Sequence, residues 1–102
     1  MNDRRCQPRR SLDLILNAYQ DGMPRLVAAD NISCSGMRIR RVLGPQHLTS
    51  KRIDLEFQLP KQKEVLYVEG ECVYEKDGGG VFGVRFTNLS RDLLGKLKAF
   101  IN

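Results

Sequence analysis

The sequence predicts a small, mainly β domain: a six-stranded antiparallel β-barrel with a C-terminal α-helix and a flexible N-terminal arm. Three observations predict it. Apolar and polar residues alternate in short runs, most clearly Ile53, Leu55, Phe57 and Leu59 against Asp54, Glu56 and Gln58. Turn-forming strings punctuate those runs at short intervals. Near the end the period changes, and Leu93, Leu94, Leu97, Phe100 and Ile101 recur at helical spacing. With 102 residues, 41% of them hydrophobic, the chain has room for a single core. The expected layout is one domain over 1–102, with an arm at 1–10, a barrel at 11–89 and a helix at 90–102.

Residues 1–10 contain four arginines and a proline but no branched aliphatic or aromatic residue, so they read as a mobile arm. Leu12 to Tyr19 follows as a strand, with Leu12, Leu14 and Leu16 on one face and Ile15 and Tyr19 on the other, until Gly22 breaks it. Arg25 to Ile32 is a second strand ending in the turn-rich string Asn31-Ile32-Ser33-Cys34-Ser35-Gly36, which makes a hairpin of the pair. Met37, Ile39 and Arg41 share a face of the third strand, opposite Arg38 and Arg40, and Gly44-Pro45 stops it. The fourth, from Ile53, is closed by Pro60. In the fifth, Val65 to Glu75, one face holds Leu66, Val68, Cys72 and Tyr74, with Gly70 among them leaving space for a bend or bulge. Asp77-Gly78-Gly79-Gly80 is a hairpin turn, and Phe82, Val84 and Phe86 point inward from the last strand. Ser90 caps the helix, Asp92 sits favourably in its first turn, Lys96 and Lys98 face water, and Gly95 weakens it modestly.

Charge is unevenly spread. Residues 1–52 hold ten Lys/Arg against four Asp/Glu, and residues 53–102 hold seven against eight, so an anionic partner should meet the first half. Eleven of the seventeen basic residues are Arg, which favours two-pronged recognition of a phosphate or a base edge. No apolar run approaches the roughly 18 residues that cross a bilayer, so membrane insertion is not expected. Cys6, Cys34 and Cys72 form neither a CxxC pair nor an even-numbered framework, which points to the cytoplasm.

An enzyme is not expected. His47 is the sole histidine and lacks a nucleophile elbow or a metal-binding helix around it. Three scattered cysteines and one histidine make a poor zinc set, so no metal or cofactor is expected. Asp54 and Glu56 lie on a wet strand face without the apolar pocket that separates the pKa values of an acid/base pair. The glycines at 78–80 precede no helix and make no phosphate loop.

Two short strings remain. Arg5-Cys6-Gln7-Pro8-Arg9 is an R-x-x-x-R, a pattern this composition yields by chance roughly once per hundred residues. Asn31-Ile32-Ser33-Cys34-Ser35-Gly36 is the rarer [DN]-x-S-x-x-G, whose ordinary explanation is a Ser/Gly turn between strands. An Arg fork meets a phosphate or the N7/O6 edge of guanine with two parallel hydrogen bonds and stacks on a purine face. Asn31 and Ser33 supply both donors and acceptors for a base. Gly36 lets a ligand approach the backbone and is free to take positive φ.

In order and spacing these strings, with the closing G-V-R-F-T-N-L-S at Gly83 to Ser90, resemble the PilZ domain, a bacterial family that binds the second messenger cyclic di-GMP. The resemblance covers nearly the whole chain and implies the same six-stranded barrel with a C-terminal helix. It implies a ligand-binding set of Arg5, Arg9, Asn31, Ser33 and Gly36, with cyclic di-GMP as ligand rather than a cofactor. Asn31 stands where the family most often has Asp, so a charge partner for guanine N1/N2 is lost while hydrogen bonding remains. Arg4 stands where Arg in similar proteins accompanies a stacked ligand dimer, and Tyr74 resembles an aromatic that sits against a base in some members, a core or rim tyrosine being the plain alternative. The implied output is an ordered arm that alters a surface for an effector protein. Two other readings stay open. One is a basic barrel that binds RNA or single-stranded DNA, against which the 7% aromatic content and absent Trp count. The other is a PilZ-like interaction module without ligand.

Overall fold

A computed structural model describes residues 8–43, 50–76, 78 and 80–102. The strands are β1 (Arg9–Gln20), β2 (Met23–Ser33), β3 (Gly36–Leu43), β4 (Arg52–Gln58), β5 (Val65–Lys76) and β6 (Val81–Thr87), followed by the helix α1 (Arg91–Ile101). They close into an antiparallel barrel in the order β1-β2-β3-β6-β5-β4, with β4 returning to β1 through Asn17↔Glu56, Ala18↔Leu55 and Tyr19↔Asp54.

Alternation builds the interior. Leu16 and Ala18 of β1, Ile53, Leu55 and Phe57 of β4, Leu66 and Val68 of β5, and Phe82, Val84 and Phe86 of β6 are buried in one cluster. The β1–β2 connection is a two-residue turn in which Asp21 has φ +49° and Gly22 +77°, the mirror-image geometry whose twist matches its flanking strands. Gly78 takes φ +65° between β5 and β6, and Asp77 and Gly79 of that expected turn lie outside the described residues, as do Gly44-Pro45 and His47.

The helix obeys its signals. The Ser90 hydroxyl accepts the Leu93 N–H at 3.1 Å, Asp92 lies in the first turn, and Leu97 and Phe100 enter the core. Because β1–β4 pairing closes the barrel, the helix covers no open side; it packs at the end where β1 begins. There the Arg10 guanidinium lies 4.2 Å from the Phe100 ring centroid and donates to the Phe100 carbonyl.

Four expectations change. Strand β1 begins at Arg9, so the last two residues of the expected arm belong to the barrel. The fifth strand does not bulge at Gly70, which is instead a point of close contact where a Cβ would meet Val84 Cγ1 at 2.6 Å. Its register shifts between Cys72 and Tyr74, leaving Val73 as the extra residue. The extra residue reverses the alternation, so Tyr74 leaves the face of Leu66 and Val68 and pairs with outward-facing Gly83. Finally, Gly36 is not among the positive-φ glycines; a Cβ there would lie 2.1 Å from the Val84 carbonyl oxygen, so close approach of β3 to β6 demands the glycine.

Candidate functional site

Pairing of β1 with β2 sets Arg9 opposite Ser33, Arg10 opposite Ile32 and Ser11 opposite Asn31. Opposed residues share a face, so Arg9 and Asn31 look outward while Arg10 follows Ile32 toward the helix. An irregularity makes this possible. Val27 and Ala29 face the core, and strict alternation would send Asn31 there too. The register against β3 shifts between Ala29 and Asn31, adding Asp30, and the next core residue is Ile32.

The two strings of the sequence therefore meet on one outer face. Asn31 Oδ1 accepts from Arg9 Nη2 at 2.9 Å and from Arg9 Nε at 3.3 Å, while its amide donates to Asp30 Oδ1 at 3.3 Å. Asp30 in turn faces Arg38 at 3.7 Å. A polar chain thus runs across three strands, with guanidinium groups at both ends.

Beside it lies a cleft of about 270 Å³ lined by Arg9, Ser35, Gly36, Met37, Val73, Tyr74, Gly83, Val84 and Arg85. The Tyr74 ring forms one wall by lying flat on Gly83, where an added Cβ would come 2.1 Å from Cε2. Tyr74 remains 42% exposed. Arg85 is held by Glu71 at 2.6 Å.

The turn is rigid for a stated reason. Ser33 Oγ accepts the Ser35 N–H at 3.2 Å, shares a hydrogen bond with Ser35 Oγ at 3.1 Å, and donates to the Gly36 carbonyl at 3.4 Å. The Phe86 N–H donates to the Ser35 carbonyl at 2.8 Å, tying the turn to β6. Ser33 was expected to offer its hydroxyl to a base; it is fully buried here, and its polar capacity is satisfied within the turn. Arg4 and Arg5 lie outside the described residues.

A family model for the PilZ domain matches residues 3–102. The chain belongs to the PilZ family. PilZ domains are binding modules of a receptor and adaptor family for cyclic di-GMP. The PilZ barrel here is similar to the Bacillus subtilis inhibitor of motility, MotI/DgrA, with a TM-score of 0.75 and 13% identity over 96% of this chain and 49% of that one. It is also similar to the PilZ domain of CeSA from a cellulose-synthesising bacterium, with a TM-score of 0.70 and 10% identity over 91% and 93%. At such identities the likeness establishes the fold. The chain spans about half the length of MotI/DgrA. No curated protein matches it in sequence.

Six residues lining the cleft were not named as site residues from the sequence: Ser35, Met37, Val73, Gly83, Val84 and Arg85. Gly83 and Arg85 were reachable, because inward Phe82, Val84 and Phe86 place them together on the outer face of this PilZ barrel. Val73 was not, since the bulge exposing it leaves no mark in the alternation. Cys34 and Cys72 are free thiols, and burial pushes the Cys72 thiol up to about 11, so it stays protonated at neutral pH. Among the described residues no helix is long and apolar enough to cross a membrane.

Proposed function

We propose that this PilZ domain is a cyclic di-GMP receptor without catalytic activity, and that Arg9 and Asn31 form the fixed half of its ligand site. One observation carries this reading. Strand pairing seats the second arginine of the R-x-x-x-R string on the first residue of the N-x-S-x-x-G string, beside a cleft with an aromatic wall. A guanidinium and a carboxamide held at 2.9 Å present donors and an acceptor together, which suits a guanine edge and its adjoining phosphate.

The ligand divides the labour. Arg9 turns from Asn31 toward a phosphate or the N7/O6 edge, and the freed Asn31 Oδ1 accepts from the donors of the base. Tyr74 offers a ring face for stacking. Gly36 keeps the turn close to β6, and Ser33 holds the turn rather than touching the base. Arg5 lies four residues before Arg9, a span of at most about 14 Å along an extended chain, so it can reach the same cleft. Arg4 adds a guanidinium for a second, stacked ligand molecule. Because Arg9 already stands in β1, its backbone needs no ordering, which removes about 1 to 2 kcal/mol of entropic opposition to binding. The altered surface at the start of β1 is the output to an effector protein.

Calorimetric titration with cyclic di-GMP, with GTP and GMP as controls, tests the reading. Arg9→Ala should abolish binding with an unchanged melting temperature, since Arg9 is exposed. Unchanged affinity in that variant removes the arginine from the site. A salt-steep affinity for oligonucleotides that grows with their length would favour the nucleic-acid reading instead.

A further inference from the structure

A second outer face is formed by β4, by the end of β1 remote from Arg9 and by the start of β5, and it differs in kind from the Arg9–Asn31 site. Cross-strand rows place Asn17, Glu56 and Tyr67 side by side, then Tyr19, Asp54 and Glu69. Three carboxylates of the β4 and β5 outer face have arginine partners: Arg52 meets Asp54 at 3.3 Å and Glu69 at 3.6 Å, and Arg85 meets Glu71 at 2.6 Å. Glu56 is held differently. Its Oε1 accepts from the Tyr19 hydroxyl at 2.9 Å and from Asn17 Nδ2 at 3.2 Å, both neutral donors. These bonds hold the Glu56 carboxyl below its usual range, Tyr19 foremost, so it is ionised at neutral pH.

The surroundings are apolar for a wet sheet face. Tyr67 is 69% exposed, Ile15 55% and Val65 43%. Glu56 lines two adjoining clefts of about 260 and 230 Å³, one with Tyr19 and Tyr67, the other with Ile15 and Val65. Among the described residues no guanidinium pairs with Glu56, since Arg52, which lines the same cleft, is engaged by Asp54 and Glu69; such a fixed carboxylate among exposed apolar side chains is a surface built to be covered.

We propose that this face docks a segment of a partner protein that presents an arginine flanked by apolar residues, the guanidinium meeting Glu56 between the Tyr19 and Tyr67 rings. Charge complementarity selects this occupant. The face is acidic on a chain of net charge +5, so phosphate-bearing partners are repelled from it. A planar guanidinium can pair with the carboxylate and stack on tyrosine at once. Ile15 and Val65 then take the flanking side chains. The inference rests on the adaptor half of the function proposed above and is independent of the nucleotide half, because the ligand cleft shares no lining residue with the two clefts at Glu56.

The test is a titration of the isotope-labelled full chain, followed by two-dimensional NMR, with an amidated peptide alternating arginine and leucine. Shifts should be confined to the rows around Asn17, Tyr19, Glu56 and Tyr67. Replacing arginine by citrulline in the peptide, or Glu56→Gln in the protein, should each weaken binding about tenfold. Tyr67→Ala should weaken it as well, without altering the melting temperature. Shifts centred on Asp30 or on Glu71, or equal binding by Glu56→Gln, would overturn the proposal. So would a concentration-dependent dimer of the chain that Glu56→Gln abolishes, because the occupant would then be a second copy. Cyclic di-GMP binding should survive in Glu56→Gln; its loss would merge the two faces and refute the separate surface.

Discussion

Strands β4 and β2 lie on either side of β1 and teach opposite lessons. Strand β4 keeps one register along its pairings with β1 and β5, and Ile53, Leu55 and Phe57 enter the core in strict alternation. Strand β2 shifts register against β1 near Ser11 and Leu14, and against β3 between Ala29 and Asn31. The regular strand supplies packing. The irregular one carries the candidate ligand site, because an added residue turns Asn31 outward, where strict alternation would have buried it. The candidate ligand site of this small barrel sits where the two-residue period fails.

That contrast can be broken at its hardest point. Gly36→Ala drives a Cβ to 2.1 Å from the Val84 carbonyl oxygen, a backbone atom that cannot rotate away. A loss of about 4 kcal/mol, or failure to fold, is expected in urea denaturation. A near-neutral result would show that β3 and β6 can separate and that the turn is softer than its hydrogen bonds imply. In β4, Leu55→Ala leaves a cavity at a side chain only 1% exposed, with an expected loss of about 3 kcal/mol. At temperatures where the variant is folded, its cyclic di-GMP affinity should match the parent, since β4 has no part in the ligand cleft. A drop in affinity as large as the drop in stability would erase the division of labour between the strands.

Subtler effects sharpen the comparison. Asn31→Asp keeps the shape of the Arg9 contact and restores the charge the family favours, so calorimetry should report several-fold tighter binding of cyclic di-GMP. Weaker binding would mean that the carboxylate holds Arg9 away from the ligand. The smallest expected effect is on the second outer face. The Glu56 hydrogen bond, and secondarily burial and negative charge, raise the Tyr19 pKa above 10.0, and the same carboxylate raises that of Tyr67. A raised folded-state value means these contacts contribute fully below pH 10 and fade as pH climbs past it. For Glu56 the folded value is depressed, so its contribution is present above about 4.5 and lost on acidification. Near-ultraviolet titration should show tyrosine midpoints that fall in Glu56→Gln; unmoved midpoints would dissolve the cluster.

Much of the fold is legible in the sequence. The alternation of β4, the inward set Phe82, Val84 and Phe86, and the capped helix from Ser90 are each a local rule obeyed without interference, and the barrel follows from them. The meeting of Arg9 with Asn31 was legible only as a resemblance between strings, since nothing local says that residues 22 apart will pair. What stayed hidden has one physical root. A bulge costs a strand only its local phase, and phase is what periodicity measures. Beyond Val73 the alternation no longer tells which side faces water, so the period places Tyr74 with the core face while it in fact lies on Gly83. Gly36 was read for its torsional freedom, when a neighbouring carbonyl is what excludes a larger residue.

Closure of the barrel between β1 and β4 has a further consequence. Along the β1–β4 seam, Asn17–Tyr19 against Asp54–Glu56, the main-chain groups are spent on the ladder and are not offered to a visiting peptide. A partner that meets the barrel over this seam is recognised through side chains, and its specificity can therefore be rewritten residue by residue without disturbing the scaffold beneath.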